Sequence, residues 1–244
     1  MNIGIVTTWF ERGAGYVSRA YMDTLSRFHK VYIYARGGEE YAQGDPAWDL
    51  DGVTWAPRLA GLAHLSTTAV SLRHFYRWLR RHDIDLILFN EQIRMDVVRE
   101  VAALGYVTGA YVDYYTPKMV PQFRLYDFLV CNTRRHHSVF TDHPQALFIQ
   151  WGTDLRLFQP RAYYPQRAGG EDVVFFHSAG WGGLNLRKGT DLLVDAFAQV
   201  QGQAQLIIHS QAPLERYGPT AAHIRADPRI TFLEKTVPAP GLYH

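Results

Sequence analysis

The sequence predicts an α/β protein of two parallel-sheet domains, one complete and one partial. Three observations carry that prediction. Short runs of β-branched and aromatic residues alternate with longer stretches of helical period along the 244 residues, the mark of βαβ units. Hydrophobic residues make up 47% of the chain and charged residues 20%, enough apolar material for a large core and too little charge for disorder. The alternation lapses at residues 161–171, where Pro165, Gly169 and Gly170 stand among charges in a linker-like stretch.

The first domain, residues 1–160, offers seven strand candidates: 3–8, 30–35, 53–56, 84–90, 106–112, 128–131 and 146–150. Helical faces lie between them. Val17, Ala20, Tyr21, Leu25 and Phe28 share one; Leu72, Phe75, Tyr76 and Leu79 a second; Val97, Val98, Val101 and Leu104 a third. Seven strands with interleaved helices complete a doubly wound, Rossmann-like domain. The second series, residues 172–244, has strand candidates 172–177, 205–210 and 229–234. Its helix 189–200 carries a stripe of Leu192, Leu193, Ala196, Phe197 and Val200. A further helix over 214–226 is interrupted by Gly218-Pro219. Three strands are about half of such a sheet, so this domain reads as partial.

Composition narrows the function. Cys131 is the single cysteine, which excludes an internal disulfide framework and fits a reducing compartment. The 25 Lys+Arg against 23 Asp+Glu leave a net charge of +2, too balanced to make nucleic acid the main partner. Met1 to Val6 has no basic signal-peptide region and reads as the opening strand. No apolar run reaches the length of a membrane span. A cytoplasmic protein is expected.

Two glycine-bearing turns precede helices. In the first, Gly13-Ala14-Gly15-Tyr16-Val17-Ser18 follows the opening strand. Glycines there let the backbone approach a ligand, and a helix start offers free N–H groups to an anion. The dinucleotide fingerprint fits in part only, because Trp9-Phe10-Glu11-Arg12 lengthens the loop and the second strand ends in Arg36 rather than an acidic residue. An NADP enzyme could use Arg36, so an oxidoreductase stays open, as does a purely structural turn. The second turn, Ser178 to Gly189, puts Arg187 and Lys188 at a helix start. Positive charge there opposes the helix dipole, whereas an anionic ligand would explain it; a solvated basic turn is the alternative. Where the first domain ends, Trp151-Gly152-Thr153-Asp154 leads to Phe158 and Pro160, a capped turn anchored by the aromatic.

Taken together and in this order, these features resemble glycosyltransferase family 4, the retaining nucleotide-sugar enzymes of GT-B fold. The opening strand with Gly13 and Gly15, the junction from Gly152 to Pro160, and the Arg187-Lys188-Gly189 turn carry the resemblance, which spans essentially the whole chain. It implies a hexosyl transfer from a nucleotide-diphosphate sugar to a carbohydrate or lipid-linked acceptor. Gly13, Gly15, Arg187, Lys188 and Gly189 would bind the donor diphosphate. No metal and no separate cofactor would be needed, since the cations neutralise the leaving group. Members often carry a histidine where this chain has Asp113-Tyr114-Tyr115; Asp113, at a strand's C-terminal end, is the catalytic candidate toward the acceptor. The family's paired glutamates would lie beyond His244, so the donor domain is expected to be truncated and activity of this chain alone is open. A non-catalytic binding or scaffold protein derived from such an enzyme is the second class.

Three further features carry less. Asp49-Leu50-Asp51 and Asp83-Ile84-Asp85 match the Asp-x-Asp metal motif of the other large glycosyltransferase fold, but the second triplet reads as a helix-to-strand turn. His136, His137 and His143 have no partner at zinc spacing and read as surface residues of a helix. Helix 72–82 carries Arg73, Arg77, Arg80 and Arg81 off its apolar stripe, with Trp78 among them. Peripheral contact with an anionic membrane is one reading; a packed stripe with a solvated basic face is favoured.

Overall fold

The computed structural model describes residues 1–36, 41–57, 70–153, 155, 173–180 and 188–237. The chain divides into two compact units, Met1–Gly152 and Thr153–His244. The expected linker, 161–171, lies outside the described residues.

Unit 1 is a seven-stranded, wholly parallel sheet. Its strands are β1 (Asn2–Thr8), β2 (Lys30–Arg36), β3 (Val53–Trp55), β4 (Leu86–Asn90), β5 (Val107–Val112), β6 (Phe128–Cys131) and β7 (Ala146–Phe148). The helices are α1 (Gly13–Leu25), α2 (Leu72–Arg81), α3 (Met95–Ala103) and α4 (Arg134–Val139). The strand order β3-β2-β1-β4-β5-β6-β7 reverses direction between β1 and β4, so a crevice opens beyond the C-terminal ends of these strands. All seven expected strands are present, most with ends trimmed by one or two residues.

Strand alternation sorts the core onto two faces. Ile3, Ile5, Ile33 and Leu88 pack with Trp9 and Trp48 on the side of α1. Val6, Tyr34, Ile87 and Phe89 pack with α2 and α3 on the other. Gly4 belongs to that second face: a Cβ there would press on the Trp78 ring. The tryptophan expected among the arginines of α2 is therefore a core residue, 2% exposed, because the glycine-lined sheet admits its bulk. Arg73, Arg77, Arg80 and Arg81 remain on the exposed side. Two residues expected on apolar helix faces point to solvent: Phe28 lies past the end of α1 and Leu104 caps α3.

Unit 2 holds β8 (Val173–Gly180), β9 (Ala204–Ser210) and β10 (Ile230–Glu234), parallel in the order β10-β9-β8, with α5 (Thr190–Phe197) and α6 (Pro219–Ala226). Leu206 and Ile208 of β9 pack with Val194 and Phe197 of α5 and Ile224 of α6. Leu192, expected in the buried stripe, is exposed instead, and Val194 takes its place. Gly218, at φ +58, separates a 3-10 turn over Leu214–Tyr217 from α6, whose first residue is Pro219, a position where the missing N–H costs nothing. Val174, Phe176 and Leu233 are exposed. Among the described residues no helix is long and apolar enough to cross a membrane.

Candidate functional site

A cavity of about 170 Å³ opens in unit 1 at the switch point. Thr8 ends β1, Arg36 ends β2, Glu91 follows β4 and Asp113 follows β5; all four line the cavity together with Arg12 from the start of α1. Parallel strands deliver their C-terminal ends to one edge, which is why residues as far apart in sequence as Thr8 and Asp113 meet here.

The cavity holds a network of opposed charges. Arg36 is 1% exposed. Its guanidinium donates to the Asn90 carbonyl at 2.6 Å, the Gln92 Oε1 at 2.7 Å and the Glu91 carbonyl at 3.1 Å. Burial lowers its pKa to about 10, against the opposing pull of Glu91. Arg12 pairs with the Glu91 carboxylate at 3.3 Å. Glu91 itself sits at φ +53, a left-handed conformation that costs a side-chain-bearing residue roughly 1–3 kcal/mol. Burial, then the charge of Glu91 and a hydrogen bond to it, push the Asp113 carboxyl up to about 7. Two polar atoms of lining residues, Thr8 Oγ1 and Arg36 Nε, are buried without a hydrogen-bond partner.

The start of α1 is anchored beside this network. Asn90 donates to the Ala14 carbonyl at 3.0 Å and to Ser18 Oγ at 2.9 Å, and Ser18 donates to Thr7 Oγ1 at 2.8 Å. Gly13 has open space where a Cβ would stand, whereas a Cβ on Gly15 would collide with the Phe10 carbonyl and press on Trp48. Glycine at position 15 is thus a packing requirement, and at position 13 it leaves the helix start open.

In unit 2, Gly189 caps α5 in the left-handed region at φ +64, and Lys188 beside it is exposed. His177 from β8 lies 2.9 Å from Thr190 Oγ1 at the first turn; burial, then Lys188, hold its pKa below the usual value. Strand β8 runs to Gly180, three residues further than expected, with a register shift between Ser178 and Gly180. Arg187, Asp154, Phe158 and Pro160 lie outside the described residues; Gly152 and Thr153 are exposed.

Several expectations change. Arg36 is enclosed by the end of β4, so it is no surface clamp for a 2′-phosphate, and the oxidoreductase reading loses its residue. His143 is not on a helix surface: it is buried past α4, its Nε2 3.0 Å from the Tyr126 carbonyl, its Nδ1 accepting from the Gln145 amide. The Asp-x-Asp carboxylates serve structure, Asp49 accepting from Gly44 and Trp55 and Asp85 from the Asn2 amide. Asp83, at φ +45, turns the chain from α2 into β4. Among the described residues no group of three His, Cys, Asp or Glu could hold a metal. Glu91, Arg12 and Asn90 carry the site and had no local signal in the sequence.

No family model and no curated protein matches the chain by sequence. Solved structures match it by fold. Sucrose-phosphate synthase from Thermosynechococcus elongatus superposes with a TM-score of 0.68 at 17% identity, over 99% of this chain and 72% of that one. A glycosyltransferase from Rickettsia africae gives 0.67 at 11%, over 99% and 70%. The apo form of the lipopolysaccharide outer core galactosyltransferase WaaB gives 0.62 at 11%, over 98% and 69%. The chain thus has the GT-B-like fold class, with two Rossmann-type parallel units.

Proposed function

We propose that this chain is a nucleotide-sugar-dependent glycosyltransferase, with unit 1 serving the acceptor and unit 2 the donor diphosphate. The observation that carries this reading is the unit 1 cavity: a buried, charge-lined site at the switch point of a fold shared with a sucrose-phosphate synthase and a galactosyltransferase. In the reaction, the bond from the anomeric carbon to the diphosphate oxygen breaks and a bond to an acceptor oxygen forms. The diphosphate leaves with the bonding electrons, and the acceptor hydroxyl gives up its proton. Lys188, with Arg187, stabilises the charge gathering on the diphosphate, and the turn at Gly189 offers amides to it. Asp113 receives the proton, its pKa near 7 being matched to that task. The retaining outcome and metal independence belong to the same proposal. So does a cytoplasmic location, with the arginines of α2 available to an anionic membrane surface.

The test is release of nucleoside diphosphate from a panel of nucleotide sugars in the presence of glycan and lipid-linked acceptors, beside calorimetry with the nucleoside diphosphates alone. Binding of a diphosphate that Lys188→Ala abolishes supports the reading. A chain that neither binds a nucleoside diphosphate nor releases one refutes it.

A further inference from the structure

We infer that Glu91 is a positioning residue for Asp113: pinned at its backbone by Arg36 and at its carboxylate by Arg12, it accepts the hydrogen bond of the proton that Asp113 takes up. This rests on the glycosyltransferase reading for the step it serves, and adds the residue that decides when Asp113 is ready to act.

The backbone comes first. Among the described residues, Asp83 and Glu91 are the two that carry a side chain on left-handed backbone. Asp83 has a turn to make between α2 and β4. Glu91 faces a cavity. Strain of this kind persists where the surroundings over-determine it, and it collects at working sites. Here they do so on both sides. Asn90, 2% exposed, donates to the Ala14 carbonyl and to Ser18 Oγ. Gln92, 6% exposed, accepts from Arg36 and donates to the Arg94 carbonyl at 2.9 Å. Arg36 also holds the carbonyls of Asn90 and of Glu91 itself. One buried guanidinium thus grips three consecutive residues, and the twisted one is in the middle.

The side chain comes second. Strands β4 and β5 pair Asn90 with Tyr111, so Glu91 and Asp113 leave the sheet on adjacent strands and one step out of register. Adjacent strands lie about 4.8 Å apart, close enough for two carboxyls to meet. A hydrogen bond joins Asp113 to Glu91, and two carboxyls share one only with a proton between them. With the Arg12 guanidinium 3.3 Å from the Glu91 carboxylate, that proton sits on Asp113. Before the transfer, two negative carboxylates repel each other. After it, the acceptor's proton is on Asp113 and Glu91 accepts the hydrogen bond from it, so the arrangement favours proton uptake. The amides of Asp113 and Tyr114 pull the other way. The other charged or titratable groups lining the cavity are Arg12, Arg36, Tyr111, Tyr114 and Tyr126.

A purely structural ion pair is the competing account. The side chains of Arg12 and Glu91 are each about a quarter exposed. A pair so open to solvent stabilises a fold weakly, too weakly to offset a left-handed glutamate.

The test uses the full 244-residue chain, labelled with carbon-13 at its aspartate and glutamate carboxyls. Asp113 is identified as the resonance missing from Asp113→Asn, and its titration is followed in wild type, Glu91→Gln and Arg12→Met. Both substitutions fall at partly exposed side chains and leave the Arg36 clamp intact. Glu91→Gln removes a neighbouring negative charge, so the Asp113 midpoint should move down by about one pH unit. Arg12→Met removes a positive charge, so the midpoint should move up. The acidic limb of nucleoside diphosphate release should shift in the same two directions. An Asp113 midpoint unmoved in both variants overturns the assignment and leaves Glu91 a structural partner of Arg12. So does turnover that survives Asp113→Asn and is lost in Glu91→Gln, which would make Glu91 itself the proton acceptor. If the titration shifts as expected and no nucleotide sugar is consumed, the coupling stands and the transferase reading falls. Consumption with an unmoved titration is the reverse.

Discussion

The two glycine-bearing helix starts resemble each other in sequence and differ in physical cause. At α1, Gly15 is small because the Phe10 carbonyl and Trp48 leave no room for a Cβ, and the neighbouring cation, Arg12, is engaged by Glu91. At α5, Gly189 has ordinary contacts and is needed for its positive φ, and the neighbouring cation, Lys188, is exposed. One turn closes a packed corner beside a charge-balanced cavity. The other presents positive charge at a helix start where it does not help the helix. A glycine in a loop therefore reports a constraint without saying which one; its neighbours decide.

The sharpest way to break this contrast is Lys188→Ala. Turnover should fall about 100- to 1000-fold if the lysine meets a developing charge, measured as nucleoside diphosphate release, with the melting temperature unchanged because the side chain is exposed. Wild-type turnover would make α5 an ordinary solvated turn.

Asp113→Asn probes the cavity beside α1. In the folded chain the wild-type carboxyl binds its proton more tightly than an unfolded aspartate, so folding takes up a proton between about pH 4 and pH 7. Wild-type stability should fall as pH rises through that window. At pH 8 the asparagine variant should be the more stable, by on the order of 2–4 kcal/mol, with the gap closing below pH 4, while its turnover is largely lost. Denaturant titrations at several pH values read this directly.

The glycines separate by size of effect. Gly15→Ala should cost about 2–3 kcal/mol from overpacking. Gly189→Ala should cost roughly 1–2 kcal/mol, the price of a left-handed alanine. Gly13→Ala, with open space around it and helical backbone, should lie within about 0.5 kcal/mol of wild type. Chemical unfolding of the three variants gives the ranking, and equal costs at Gly15 and Gly13 would erase the distinction between the turns.

Much of the fold was legible because strands announce themselves locally. Runs such as Ile3 to Thr8 and Leu86 to Asn90 are short, apolar and bounded by turn residues, and all became strands of one parallel sheet. Errors arose where a tertiary contact overrode the local pattern. Trp78 sits among arginines in sequence, yet the missing Cβ of Gly4 opens the sheet to it. The buried face of α5 is rotated so that Val194 replaces Leu192. The site was only partly readable. Asp113 stands out as a polar residue closing an apolar strand, but Glu91 matters through a backbone twist and through Arg12, seventy-nine positions away, and no spacing rule encodes that.

Cys131 is buried at the end of β6, and burial raises its thiol pKa to about 11, so little reactive thiolate exists near neutral pH. The native chain is accordingly a silent background for sulfhydryl chemistry. One cysteine introduced on the surface of each unit would be selectively labelled, and a dye pair attached that way would report the distance between the units without first removing a native residue.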